Sequence, residues 1–261
     1  MKKIITIVKK EWAEVFKNRM VLFTVIFLPL LFAALPLILI FVTRSAGVAD
    51  ISTEMPAQFT MLCNPVLTAG ECFQVYMAGQ FMLLFLLEPL IIPVNIAAYS
   101  IVGEKTTRSL EPLLATPITT AELLGGKNLA AVIPAILATW AGFAIYCIGL
   151  LIIASPVVVN AILTPIWLTA ILVVGPLMAV LSVNFSLMVS SRVNDPRAAE
   201  QISTIVILPV LILFIGQIAG FFIVNQRMIW LLALTTLALD VIMVYVAVQL
   251  FQRETILTRW K

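Results

Sequence analysis

Six long apolar runs dominate the 261-residue chain and leave few ways for it to fold. Residues 20–42, 129–154, 161–190 and 202–224 carry no charged side chain, 76–101 carries only Glu88, and 229–250 carries only Asp240. A bilayer core about 30 Å thick is crossed by a helix of about 20 apolar residues, so each run is long enough to span. Barrel strands would instead alternate polar and apolar residues over about ten positions. The expected fold is an all-α polytopic membrane protein, a single membrane domain over 1–261 with six transmembrane helices. Composition agrees: 62% of residues are hydrophobic and 11% charged, against about 25% charged in soluble domains. Such a chain could not cover a water-facing surface with polar groups, and it is far too apolar for disorder. A net charge of +3 argues against a nucleic-acid partner. The absence of histidine argues against a His-based catalytic triad or a His/Cys metal site. No catalytic residue and no metal ligand is expected.

The basic residues set the orientation. Of the 16 Lys and Arg, all but Arg44 and Arg227 fall at the N-terminus, the C-terminus, or the loops after the second and fourth runs. By the positive-inside rule both termini are cytoplasmic, in a multi-pass protein of the cell membrane. A cleaved signal peptide does not suit the start of the chain, because the first apolar run is too long and begins too late.

Residues 1–19 form an amphipathic pattern at helical spacing. Ile4, Ile5, Ile7, Val8, Trp12, Val15 and Phe16 fall on one side and Lys2, Lys3, Lys9, Lys10 and Lys17 on the other. This predicts a helix lying in the cytoplasmic interface, against lipid. Glu11 falls inside the apolar arc, which calls for a hydrogen bond to a neighbouring loop or a coupling role. Outside, the long first loop holds Cys63 and Cys72, which suit either a disulfide in an oxidising compartment or two free thiols. Prolines punctuate five of the runs, as tolerated kinks or as hinges.

The loop 103–118 is the most informative segment. Leu110, Leu113 and Leu114 make one face of a short helix that Pro117 stops, and Thr119–Glu122 has the spacing of a capping box opening the next helix. A leucine face on a non-spanning helix must be covered by the protein's own bundle or by a partner.

This loop resembles the first cytoplasmic coupling helix of ABC-2-type (type V) ABC transporter permeases. The resemblance rests on Glu104, Ser109, Leu110, Glu111, Leu113, Leu114, Thr116 and Pro117, with Gly126-Lys127 following, and it makes Glu104 and Arg108 flanking polar contacts for a docked ATPase. Val8-Lys9-Lys10-Glu11 is similar to the family's N-terminal elbow, and Leu250–Glu254 with Ile256-Leu257 to its tail. Only residues 225–228 separate the last two runs, where family members commonly carry a re-entrant outer segment. The resemblance implies the permease subunit of an ATP-driven exporter, docking a separate cassette ATPase through 103–118. It also implies a second permease copy. The sequence holds no Gly-x-x-x-x-Gly-Lys-[Ser/Thr] loop, so the chain is expected to be non-catalytic and without a cofactor, with ATP and Mg bound by the partner ATPase. The alternative is an ABC-2-like membrane component of an assembly or maturation system for an extracytoplasmic partner.

Two further features bear on a substrate path and on pairing. Glu88 and Asp240 lie mid-span, where an unpartnered ionised carboxylate costs about 2.5–3.5 kcal/mol on insertion scales. They are expected to be protonated, satisfied by neighbours such as Asn95, Asn184 or Gln217, or facing a water-filled path. Proton or cation handling, or recognition of a cationic group, is the functional option, and a structural hydrogen bond is the other. Gly216 and Gly220 have the Gly-x-x-x-Gly spacing of a close helix contact, which suits a dimer interface or packing within one bundle.

Overall fold

The computed structural model describes residues 2–45, 63, 67–106 and 118–250. Among them there is no strand, and six helical segments are long and apolar enough to cross a membrane. The protein is an all-α, multi-pass membrane protein.

Helix α1 (Lys2–Val15) precedes the first span, α2 (Arg19–Ser45). The second span is split into α3 (Ala69–Phe85) and α4 (Glu88–Thr106), and the third is the long α5 (Thr120–Ile153). A short helix, α6 (Pro156–Ile162), leads to the fourth span, which consists of α7 (Pro165–Thr169), a π turn (Ala170–Val174) and α8 (Gly175–Arg192). The fifth combines α9 (Pro196–Ser203), a 3-10 turn (Thr204–Ile207) and α10 (Leu208–Ile218); the sixth is α11 (Gln226–Leu250).

The spans depart from the apolar runs where polar residues cap or extend helices. Thr68 caps α3 and Thr119 caps α5, each through a capping box with Glu71 or Glu122. Each helix therefore begins well before its apolar run, because satisfied backbone donors let polar residues join the first turns. The second run, expected to be one helix, is broken at Leu86-Leu87, just ahead of Pro89. The fifth span ends at Ile218 rather than Val224.

The second span is the central one. In its most apolar window 78% of residues are buried, against 22% in the first, fifth and sixth, whose large apolar side chains point outward where lipid would lie. Against α4 packs α8. The Ser182 hydroxyl donates to the Leu90 carbonyl and Ser190 to that of Ala98, both at 2.7 Å. In lipid, where burying apolar surface drives no association, small side chains and such hydrogen bonds hold helices together. The α2–α5 seam uses the same device: a Cβ on Gly142 would stand 2.7 Å from Pro29 Cβ, and one on Gly149 would collide with Leu37.

Gly216 and Gly220, expected as a close-approach seam, have another role in this chain. Gly220 has φ 75°. Its N–H donates to the Gln217 carbonyl, and the Phe221 N–H to that of Gly216, both at 3.0 Å, which closes the Schellman motif that ends α10. Gly216 is buried beneath its own chain's Phe222. The two glycines therefore do not form a continuous helical stripe.

Candidate functional site

At the end of the bundle where α1 lies, the chain builds a buried cluster of charge. Helix α1 lies against the start of α5, where Gly126 admits Ile7 and the Trp12 indole donates to the Ala130 carbonyl at 2.9 Å. That packing turns Glu11 inward, to 5% exposure. Lys127, 2% exposed, donates to Glu11 at 2.9 Å and lies 3.0 Å from Glu104. The same ammonium donates to the Ser100 hydroxyl at 2.8 Å and the Ser100 carbonyl at 3.0 Å, so its three protons go to Glu11 and to the two Ser100 oxygens, while Glu104 adds its charge. Ser100 in turn donates to Glu11 at 3.1 Å. Lys10 meets the other oxygen of Glu104 at 2.5 Å. Burial works against the charge on Lys10, but its hydrogen bond to Glu104 and the fields of Glu104, Glu11 and Glu14 outweigh it and raise its pKa. Beside the cluster, a cavity of about 300 Å³ opens between α1 and α4, lined by Glu11, Glu14, Asn18, Asn95, Tyr99 and Glu104.

The cluster brackets the loop singled out in the sequence. Glu104 stands at its N-terminal stem and Lys127 follows its C-terminal stem, and both are fastened to α1. Glu104, expected to offer a polar contact to a docked partner, is directed instead toward Lys10 and Lys127 and is only 5% exposed. Arg108, Ser109, Leu110, Glu111, Leu113, Leu114, Thr116 and Pro117 lie outside the described residues.

A second polar centre lies mid-span. The break at Leu86-Leu87 places Glu88 in the first turn of α4, fully buried. Opposite is the π turn: the position a Cβ would take on Gly175, just after that turn, is 3.9 Å from Pro89 Cγ. Thr139 of α5 comes beside the carboxyl. Its hydroxyl, however, donates to the Ala135 carbonyl at 3.0 Å, leaving both Glu88 oxygens without a hydrogen-bond partner among the described residues. Phe143 and Tyr146 follow Thr139 on the same face of α5. They meet Phe85 and Trp167 in a four-ring cluster with centroids 5.6–6.4 Å apart.

The polar residues expected to satisfy the mid-span carboxylates do not do so. Asn184 accepts from Asn128 at 2.7 Å, Gln217 donates to the Gly79 carbonyl at 3.2 Å, and Asn95 lines the cavity between α1 and α4. Asp240 is 5% exposed, on the face of α11 that carries Ala233 and Ala247 into the core, and both its oxygens are unpartnered. At the outer end, Cys63 and Cys72 form a disulfide with Cα atoms 6.0 Å apart. Among the described residues no group of three or more His, Cys, Asp or Glu could hold a metal ion.

The family described as ABC-2 family transporter protein matches residues 5–245, nearly the whole chain. The chain belongs to this family. No curated protein matches it. As an ABC-2 transporter component it is a permease-type subunit of an ABC transporter, a family that in general works with an ABC ATPase. Its match begins within α1 and ends within α11, so most of α1 and all six spans fall within the matched stretch.

Lys127 is the functional residue that sequence reasoning undervalued. Its acceptors lie 116 and 27 positions away, and the one local signal was a lone lysine entering an apolar run.

Proposed function

We propose that this permease is the membrane subunit of an ATP-driven exporter, paired with a second copy and driven by a separate cassette ATPase docked on the 103–118 loop. Both termini lie in the cytoplasm, on the side that carries the excess of Lys and Arg. The observation that carries the reading is the pair of anchored loop stems. Because Lys127 ties Glu104 of α4 to Glu11 of α1, a push on the loop moves α1, α4 and α5 together rather than bending one stem. ATP binding would close the ATPases, displace the loop, and swing the spans at their irregular points. Leu110, Leu113 and Leu114 would supply the apolar docking area, and Glu111 a charge-assisted hydrogen bond.

Co-purification of the permease with a co-expressed ABC ATPase from the same source tests this. Leu114→Asp should abolish the complex while the permease still inserts; undiminished complex formation would refute the docking assignment.

A further inference from the structure

We propose that the junction between the broken second span and the π turn of the fourth binds a lipophilic organic cation. Glu88 supplies the counter-charge, and Phe85, Phe143, Tyr146 and Trp167 form the walls. The inference deepens the permease reading by naming a substrate class.

The charge of the ligand follows from what surrounds Glu88. Its carboxyl is fully buried and both oxygens are unpartnered. The ion pairs among the described residues involve Glu11, Glu14, Glu104 and Glu122, not Glu88. A buried carboxyl without a counter-charge is held neutral. A cation entering the site takes the place of its proton, which leaves to water. An anion cannot replace that proton, and a neutral apolar molecule has no use for the carboxyl. A small metal ion would need several oxygen ligands, whereas no group of acidic residues that could hold one gathers at Glu88 among the described residues. A large cation with spread charge and a thin hydration shell needs a single counter-charge and aromatic faces, whose quadrupoles attract it. Those faces are present. Trp167 stacks on Phe143 and on Tyr146, Phe85 meets them edge-on or tilted, and the Tyr146 hydroxyl is unpartnered.

The backbone is interrupted at the same level on both sides. The break leaves the second span as two half-helices, with the N-terminal turn of α4 at Glu88, while Ala170–Val174 is wound as a π turn. Discontinuous helices and π turns recur where membrane proteins bind and release cargo, because such segments move without breaking a regular hydrogen-bond ladder.

Binding of radiolabelled tetraphenylphosphonium to the purified permease in lipid nanodiscs tests the proposal. No ATPase is present, so the result is independent of ATPase docking. Saturable binding is expected, displaced by quaternary ammonium compounds and not by neutral triphenylmethane at the same concentration. Glu88→Gln should weaken binding at least tenfold, and Trp167→Leu about fivefold. Absence of saturable binding, or equal displacement by the neutral compound, would overturn the proposal without any variant having to fold. Parent-like binding by folded Glu88→Gln would overturn it too, leaving that carboxyl at most a proton site.

Discussion

The Lys127 ammonium lies 2.9 Å from the Glu11 carboxylate, joining the start of the third span to α1, 116 residues earlier. The two side chains are 1% and 6% exposed. Charges so deeply buried are held only by one another and by their hydrogen bonds. The pair therefore specifies where α1 docks, whatever its net contribution to stability.

Removing one partner should cost far more than removing both. Lys127→Met removes the buried counter-charge that Glu11 and Glu104 share, leaving Glu104 to Lys10 and Glu11 to Ser100 and the more distant Lys10, a loss of about 3–5 kcal/mol. Glu11→Gln in the same chain should recover part of it. Thermal unfolding of the single and double variants in detergent, read as a double-mutant cycle, checks this; strictly additive losses would mean the two residues do not interact.

Two adjacent glycines should respond in opposite ways. A Cβ on Gly126 would stand 2.8 Å from Ile7 Cγ2, while one on Gly125 meets nothing within 4 Å. Gly126→Ala should push α1 away, costing about 1–3 kcal/mol by overpacking. Gly125→Ala should be neutral or stabilising by up to about 1 kcal/mol through helix propensity. Protease sensitivity of α1 and the melting temperature should separate the two variants.

Gly220→Ala should destabilise the end of the fifth span by about 1–2 kcal/mol, because φ 75° at that position is left-handed. Gly220→Asn should cost less, since asparagine tolerates that region. Equal melting temperatures for the two variants would count against a structural role for the Schellman turn.

Alkali should loosen α1. The pKa of Lys10 is raised above its ordinary 10.5, so burial disfavours its charge less than Glu104, Glu11 and Glu14 favour it. A lysine raised on folding contributes stability that is fully present below its unfolded pKa and lost as pH rises through the folded one. Protease cleavage within α1 should therefore increase only above about pH 10.5, and Lys10→Met should remove that step.

Much of the architecture was readable along the chain. The helix at the start of the chain followed from the alternation of Lys2, Lys3, Lys9 and Lys10 with Ile4, Ile7 and Val8, although Ile7 and Val8 turn toward the bundle, where lipid was expected. The Thr119–Glu122 capping box followed from spacing alone, because both signals act within a turn. The glycines were harder. Gly216 and Gly220 had the spacing of a packing seam, yet Gly220 ends its helix, whereas Gly142 and Gly149 pack on Pro29 and Leu37 with no short motif to mark them. A spacing names residues on one face; it does not say which helix lies opposite.

Hydrophobic length, the placement of positive charge and local capping are properties of contiguous residues. They determined six spans, their order and a helix ahead of the first before any coordinates. Only the tertiary structure decided that Glu11, Lys127 and Glu104 meet, that the second span breaks just before Glu88, and that four aromatic rings gather above it. Those outcomes depend on which helix faces which. In lipid that choice rests on close packing and a few buried polar contacts between distant residues, and no local pattern encodes it.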